Sequence, residues 1–189
     1  MPESVYPPEQ RQALLDLAWD SIRHGLEHGD PVPVKKEHFP KALQARRACF
    51  VTLHKGGQLR GCIGHLEAVQ SLVEDVAGNA YAAAFGDPRF APLQAGELDG
   101  IELDISVLSE AETLPYENRQ DLLRKIRPDI DGLILSSPTG HRGTFLPSVW
   151  ESLPTAEQFL QHLVMKAGLP SGYWSDDLKI ERYTTESFS

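Results

Sequence analysis

The stretch Ala48-Cys49-Phe50-Val51-Thr52-Leu53-His54-Lys55-Gly56-Gly57-Gln58-Leu59-Arg60-Gly61-Cys62-Ile63-Gly64 decides the fold. From Ala48 to Leu53 it concentrates β-branched and aromatic side chains, Gly56-Gly57 supplies a turn, and Gln58 to Ile63 returns, so the segment reads as a β-hairpin. Strand side chains alternate, which puts Arg60 and Cys62 on one face and Leu59 and Ile63 on the other. The register sets the relation of the two cysteines. With Gly56-Gly57 as central turn residues, Cys62 faces Val51 and Cys49 is its diagonal neighbour. Moving the turn back by one residue pairs Cys49 with Cys62, and a bulge sends them to opposite faces.

Outward from the hairpin, Glu67 to Phe85 carries Val69, Leu72, Val73, Val76, Ala77, Ala80, Ala83 and Ala84 as a helical stripe of mainly small residues suited to close packing on a sheet. Gly86 suits its C-terminal cap, and Asp87-Pro88-Arg89-Phe90 reads as a turn or short helix capped by Asp87. Ile101, Leu103, Ile105 and Val107 alternate with polar residues, the pattern of a strand with one buried face in an antiparallel sheet. Upstream, Glu9 to His28 is an amphipathic helix on Leu14, Leu17, Ala18 and Ile22, with Pro8 in its first turn, and Pro33 to Pro40 is an extended loop. Downstream come a short helix around Leu122 and Ile126, strands at 132–135 and 141–146 joined by a turn, and a helix opened by the Thr155–Gln158 capping box. That helix is ended by Gly168 and Pro170, and a final strand runs from Leu178 to Tyr183. Interleaved helices and hairpins give an α+β protein with a mainly antiparallel sheet and flanking helices.

The 189 residues suit one domain, and 41% hydrophobic with 24% charged residues is an ordinary globular composition. The N-terminus lacks a signal-peptide pattern and no stretch is apolar for long enough to span a membrane, so a cytoplasmic setting without membrane insertion is expected. Two cysteines give no disulfide framework, and the formal net charge of −9 opposes broad non-specific binding to nucleic acid. The basic run of Lys35, Lys36, Lys41, Arg46 and Arg47 is read as a solvated segment. No metal site is expected, since the histidines form no His-Glu-x-x-His pattern and no Cys-x-x-Cys exists. Phosphate-cradling glycine loops are absent too.

The chemistry gathers in Leu59-Arg60-Gly61-Cys62-Ile63-Gly64. A neighbouring guanidinium favours the thiolate, and glycines at 61 and 64 admit a ligand or a second backbone. Cys62 and Arg60 are therefore candidate catalytic residues, with His65 as a candidate base. Cys62 as a small buried hydrophobe and His65 as a loop residue are the plainer readings. Asp87 and Arg89 form either a cap and its ion pair or, with Arg60, a carboxylate or phosphate site. His141 and Thr144 are further candidate hydrogen-bonding groups, whereas Phe145 and Trp150 read as core anchors or the wall of an aromatic cleft.

These motifs, with Phe85-Gly86-Asp87-Pro88-Arg89-Phe90, Arg142-Gly143-Thr144-Phe145-Leu146-Pro147-Ser148-Val149-Trp150, Lys166 to Leu169 and Trp174, make the chain resemble the AMMECR domain family over nearly its whole length. Bacterial members of that family are called AmmeMemoRadiSam system protein A. The resemblance implies a single domain over 5–188 with two unequal lobes around a cleft, the larger built from both chain ends. It also implies a modification pathway shared with Memo-type and radical SAM proteins. Any iron-sulfur chemistry belongs to such a partner, because two cysteines cannot ligate a cluster, and no cofactor is assigned to this chain. Two functions follow as expectations. One is a cleft protein with Cys62 as a reactive or substrate-contacting thiol. The other is a non-catalytic adaptor or small-ligand module, for which an unidentified small molecule or a modified nucleotide is an allowed occupant.

Overall fold

The computed structural model describes residues 4–189. In chain order its elements are α1 (Pro8–His28), α2 (Lys41–Gln44), β1 (Cys49–Lys55), β2 (Gln58–Gly64), α3 (Leu72–Phe85), β3 (Ile101–Leu108), β4 (Glu112–Thr113), α4 (Arg119–Lys125), β5 (Gly132–Ser136), β6 (Arg142–Phe145), α5 (Ala156–Lys166), β7 (Lys179–Tyr183) and β8 (Thr185–Phe188). The strands form two four-stranded sheets, ordered β2-β1-β3-β8 and β4-β7-β5-β6, and the fold is α+β as the sequence indicates. The described residues divide into two compact units, Ser109–Thr185 and 4–108 together with Glu186–Ser189. No helix is long and apolar enough to cross a membrane among the described residues.

In the unit formed by both chain ends, β1 pairs with β2 on one side and with β3 on the other, both antiparallel. The inward side chains Cys49, Val51, Leu53, Leu103, Ile105 and Val107 are buried with Leu14, Ile22, Val73, Val76 and Ala80 of α1 and α3. Small residues let these layers approach. A Cβ on Gly61 would overlap the backbone carbonyl of Ala83, and one on Gly25 would overlap the rings of Tyr81 and Phe85. Ser21 also donates to the Ala77 carbonyl at 2.7 Å, satisfying a buried hydroxyl across the α1–α3 contact.

Helix α3 starts at Leu72, later than the apolar stripe suggests. Ser71 accepts from the Glu74 N–H while Glu74 accepts from the Ser71 N–H, a capping box that fixes the first turn. Val69 lies before it, largely exposed. Strand β8 has one large apolar residue, Phe188, packed against the core, and is otherwise held by polar ties. Glu186 accepts from the Val5 N–H at 3.0 Å and pairs with Arg11.

In the other unit, β5 is fully paired between β6 and β7. Trp150 stacks on Phe159 of α5 with ring centroids 3.9 Å apart and donates its Nε1–H to the Asp131 carbonyl at 2.7 Å. Both Phe145 and Trp150 thus serve this unit's core. The buried Tyr183 hydroxyl donates to the Phe145 carbonyl at 3.1 Å, and burial pushes its pKa up to about 12.

Because the contact at Gly61 is with backbone rather than a flexible side chain, Gly61→Ala should lower stability by roughly 1–3 kcal/mol. Urea denaturation checks this, and an unchanged midpoint would contradict the close packing.

Candidate functional site

The hairpin contains the bulge that separates the cysteines. His54 pairs with Leu59 and Leu53 with Gly61, so Arg60 is the extra residue of β2, and Cys62 then lies opposite Thr52. Cys49 is fully buried on the helix side of the sheet, whereas Cys62 is half-buried beside Thr52, its Sγ 3.3 Å from the Thr52 Oγ1. Both thiols are free, and Leu59 is displaced from the face that simple alternation gives it.

The residue that organises Cys62 is Asp87. Just beyond the end of α3 the chain turns at Gly86, and the Asp87 carboxylate reaches back to the outer edge of β2. Its Oδ2 accepts from the Cys62 N–H at 3.0 Å and from Arg89 Nη2 at 2.7 Å. Its Oδ1 accepts from the Arg89 N–H at 3.1 Å and Nε at 3.0 Å. Asp87 is 4% exposed, and the Arg89 guanidinium, followed by the Cys62 and Arg89 amides, holds its carboxyl far below the ordinary range. One oxygen is thus shared by the cysteine's amide and the guanidinium, which places Arg89 beside the Cys62 backbone. The Asp87 hydrogen bond in turn raises the Arg89 pKa, against the opposing effect of desolvation. Arg89 makes no bond through Nη1 among the described residues, and its side chain is 55% exposed.

Arg60 is engaged elsewhere. Its Nε and Nη2 donate to the two Glu97 carboxylate oxygens, each at 3.2 Å, and Nη2 also donates to the Ala91 carbonyl at 2.9 Å. Glu97 is lowered to about 2, chiefly by Arg60 and then by the Gln94 amide. The guanidinium expected to face the thiol therefore ties down the 91–97 segment, because the bulge gives its side chain a separate path. Phe90 connects the two cations, with Arg89 5.4 Å and Arg60 6.0 Å from its ring centroid.

His65 is directed to Asp75 of α3, with Nδ1 2.7 Å from Oδ1, on the side where the helices pack. It stands three residues beyond Cys62, so strand alternation opposes its acting as that thiol's base. The glycines have packing reasons. Gly61 admits Ala83, and a Cβ on Gly64 would meet the Phe50 ring and the Cys49 carbonyl. His141 sits in the β5–β6 turn with Nδ1 3.0 Å from Thr139 Oγ1, and Thr144 donates to the Leu133 carbonyl at 2.9 Å. Both belong to the unit that does not contain Cys62. No three His, Cys, Asp or Glu side chains gather as metal ligands among the described residues.

Asp75 is the residue that the sequence reading passed over. It is 1% exposed on the buried face of α3 and accepts from the Cys49 N–H, the Cys49 thiol and Asn79 Nδ2 at 2.9, 3.2 and 2.9 Å. The signal was available as Asp75 and Asn79, a polar pair at i, i+4 within an apolar stripe.

Fold and site together define a class: an α+β protein of two antiparallel sheets with a cysteine on the edge strand of one, its amide held by a buried carboxylate that is paired with a half-exposed arginine. The AMMECR1 family model matches residues 15–188, and the chain belongs to that family. A protein of Methanothermobacter thermautotrophicus is 39% identical over 186 residues, covering 95% of this chain and 94% of its own length. Protein MJ0810 of Methanocaldococcus jannaschii is 36% identical over 160 residues, covering 80% and 77%. The crystal structure of uncharacterized protein PH0010 from Pyrococcus horikoshii superposes with a TM-score of 0.83 at 32% identity, over 95% of this chain and 90% of that one.

Lowered carboxyl pKa values have a definite sign. Asp87 and Glu97 contribute stability that is full above their unfolded values, about 4, and is lost as pH falls toward the folded ones. For Glu97 the window runs from 4.5 down to about 2. Glu97→Gln should flatten the acid limb of a urea-midpoint profile in that window, and an acid limb identical to wild type would contradict the Arg60–Glu97 assignment.

Proposed function

We propose that Cys62 and Arg89 form a substrate site in which the thiol contacts or reacts with the ligand. The guanidinium edge not bound to Asp87 receives a carboxylate or phosphate of that ligand, the geometry for which a planar cation is suited. The single observation that carries this reading is the shared Asp87 Oδ2, which ties the Cys62 amide and the Arg89 guanidinium to one buried atom. Packing alone has no use for a half-exposed cation beside a half-buried thiol. In this reading Asp87 is a positioning residue, and Arg60 shapes the wall of the site through Glu97 and Phe90. The setting we propose is a modification pathway with Memo-type and radical SAM partners, in the cytoplasm.

A second reading, a non-catalytic adaptor or ligand-binding module, draws on the glycines. Gly61 and Gly64 are both accounted for by packing against Ala83 and Phe50, so the motif has an architectural use as well.

Iodoacetamide labelling with peptide mapping separates the two. Cys62 should label in the folded protein while Cys49 stays protected until denaturant is added, since burial followed by the Asp75 charge pushes the Cys49 thiol well up. Cys62→Ser should fold and lose the labelling. Equal protection of both thiols, or unfolding of Cys62→Ser, would overturn the substrate-site reading and leave the architectural one.

A further inference from the structure

We propose that the Thr52 hydroxyl is the hydrogen-bond donor that sustains Cys62 as a thiolate, so that the substrate of this site is a carbon electrophile taken up by sulfur. This role rests on the substrate-site reading above and makes Cys62 a nucleophile rather than a contact. Cys49, Val51 and Leu53 of β1 are buried on the helix side of the sheet with Leu103 and Ile105 of β3, so Thr52 and Asp104 lie on the opposite face. Gly61 packs on Ala83 of α3 and Ile63 on the same core, which turns Cys62 to that opposite face too. Register then sets Thr52 directly between Cys62 on β2 and Asp104 on β3.

The hydroxyl is bonded to sulfur. Thr52 Oγ1 lies 3.3 Å from Cys62 Sγ, and neither atom has another hydrogen-bond partner among the described residues. With the thiol protonated, either atom can donate. Once that proton leaves, only the Oγ1–H can, and the bond becomes charge-assisted. The hydroxyl therefore favours the ionised sulfur over the protonated one. A valine would keep the branched shape and suit the strand equally, so the oxygen has a use that packing does not supply.

The other groups on this face are charged. Asp104 pairs with His54, whose Nδ1 is 3.5 Å from its Oδ2. Asp87 and Arg89 bind each other at the outer edge of β2, and Arg60 is bound to Glu97. Thr52 is the neutral donor among them and the group in contact with Sγ.

In the step, the thiol proton leaves to solvent and the Sγ electron pair forms a bond to a substrate carbon. The group displaced from that carbon departs with its bonding pair. Thr52 keeps its proton throughout, and no oxidant or reductant takes part.

Iodoacetamide supplies such a carbon, with iodide as the leaving group. Its rate with Cys62 is compared in wild type, Thr52→Val and Thr52→Ser, each with folding verified. A thiolate stripped of its donor forms less readily but attacks faster once formed. Thr52→Val should therefore label about threefold more slowly than wild type at about pH 6.5, yet faster than wild type at about pH 10. Thr52→Ser retains the hydroxyl and should follow wild type at both. Altered access or packing moves both rates in one direction. An effect of one sign, no effect, or a serine variant that behaves as the valine one overturns the role of Thr52. Thr52 is half-buried, and Thr52→Ala serves the same comparison if the valine variant does not fold. Absence of Cys62 labelling in the wild type overturns the substrate-site reading itself, and the role of Thr52 with it.

Discussion

The close approach of α3 to β2 at Gly61 is the constraint on which the site depends. Only a residue without Cβ lets the Ala83 carbonyl come that near the strand, and the alanines of α3 present nothing larger than a methyl group. Helix α3 ends two residues later, so its distance from β2 sets where Gly86 turns the chain and hence whether Asp87 reaches the strand edge. At that distance the carboxylate meets the Cys62 N–H. It closes an edge amide that would otherwise be open, and it brings Arg89 with it. A packing contact in the core therefore locates a guanidinium beside the Cys62 backbone.

The two faces of the same sheet carry different chemistry for one reason. Cys49 goes inward on β1 to Asp75, and with the bulge at Arg60 in β2 Cys62 lies opposite Thr52 with its amide on Asp87. Burial suppresses ionisation of the inner thiol, whereas the outer one is half-buried beside the Thr52 hydroxyl. The inner carboxylate also lies 2.7 Å from the imidazole Nδ1 of His65. Membership of the AMMECR1 family and the likeness to the Pyrococcus horikoshii protein support the fold, while the roles of these side chains rest on their geometry.

Much of this was legible in the sequence. The Gly-Gly hairpin, the small-residue helix and the alternating strand at Ile101–Leu108 follow from patterns of two and 3.6 residues, and Asp87 with Arg89 reads as an ion pair from spacing alone. The start of α3 was legible in Ser71 and Glu74, but the apolar Val69 extends the stripe past the cap. The bulge was not legible, because register is set by what packs on each face, and with it went the partner of Arg60. Strand β8 is short and mostly polar, held by Glu186 contacts far apart in sequence. Asp75 went unseen because a lone carboxylate in a helix ordinarily faces water.

The central claim is that Arg89, and not Arg60, is the cation that serves Cys62. The direct measurement is the rate of Cys62 alkylation at fixed pH in Arg89→Gln and Arg60→Gln, with folding verified for each. The account predicts that Arg89→Gln slows alkylation several-fold while Arg60→Gln leaves it close to wild type. Slowing by Arg60→Gln alone would contradict it.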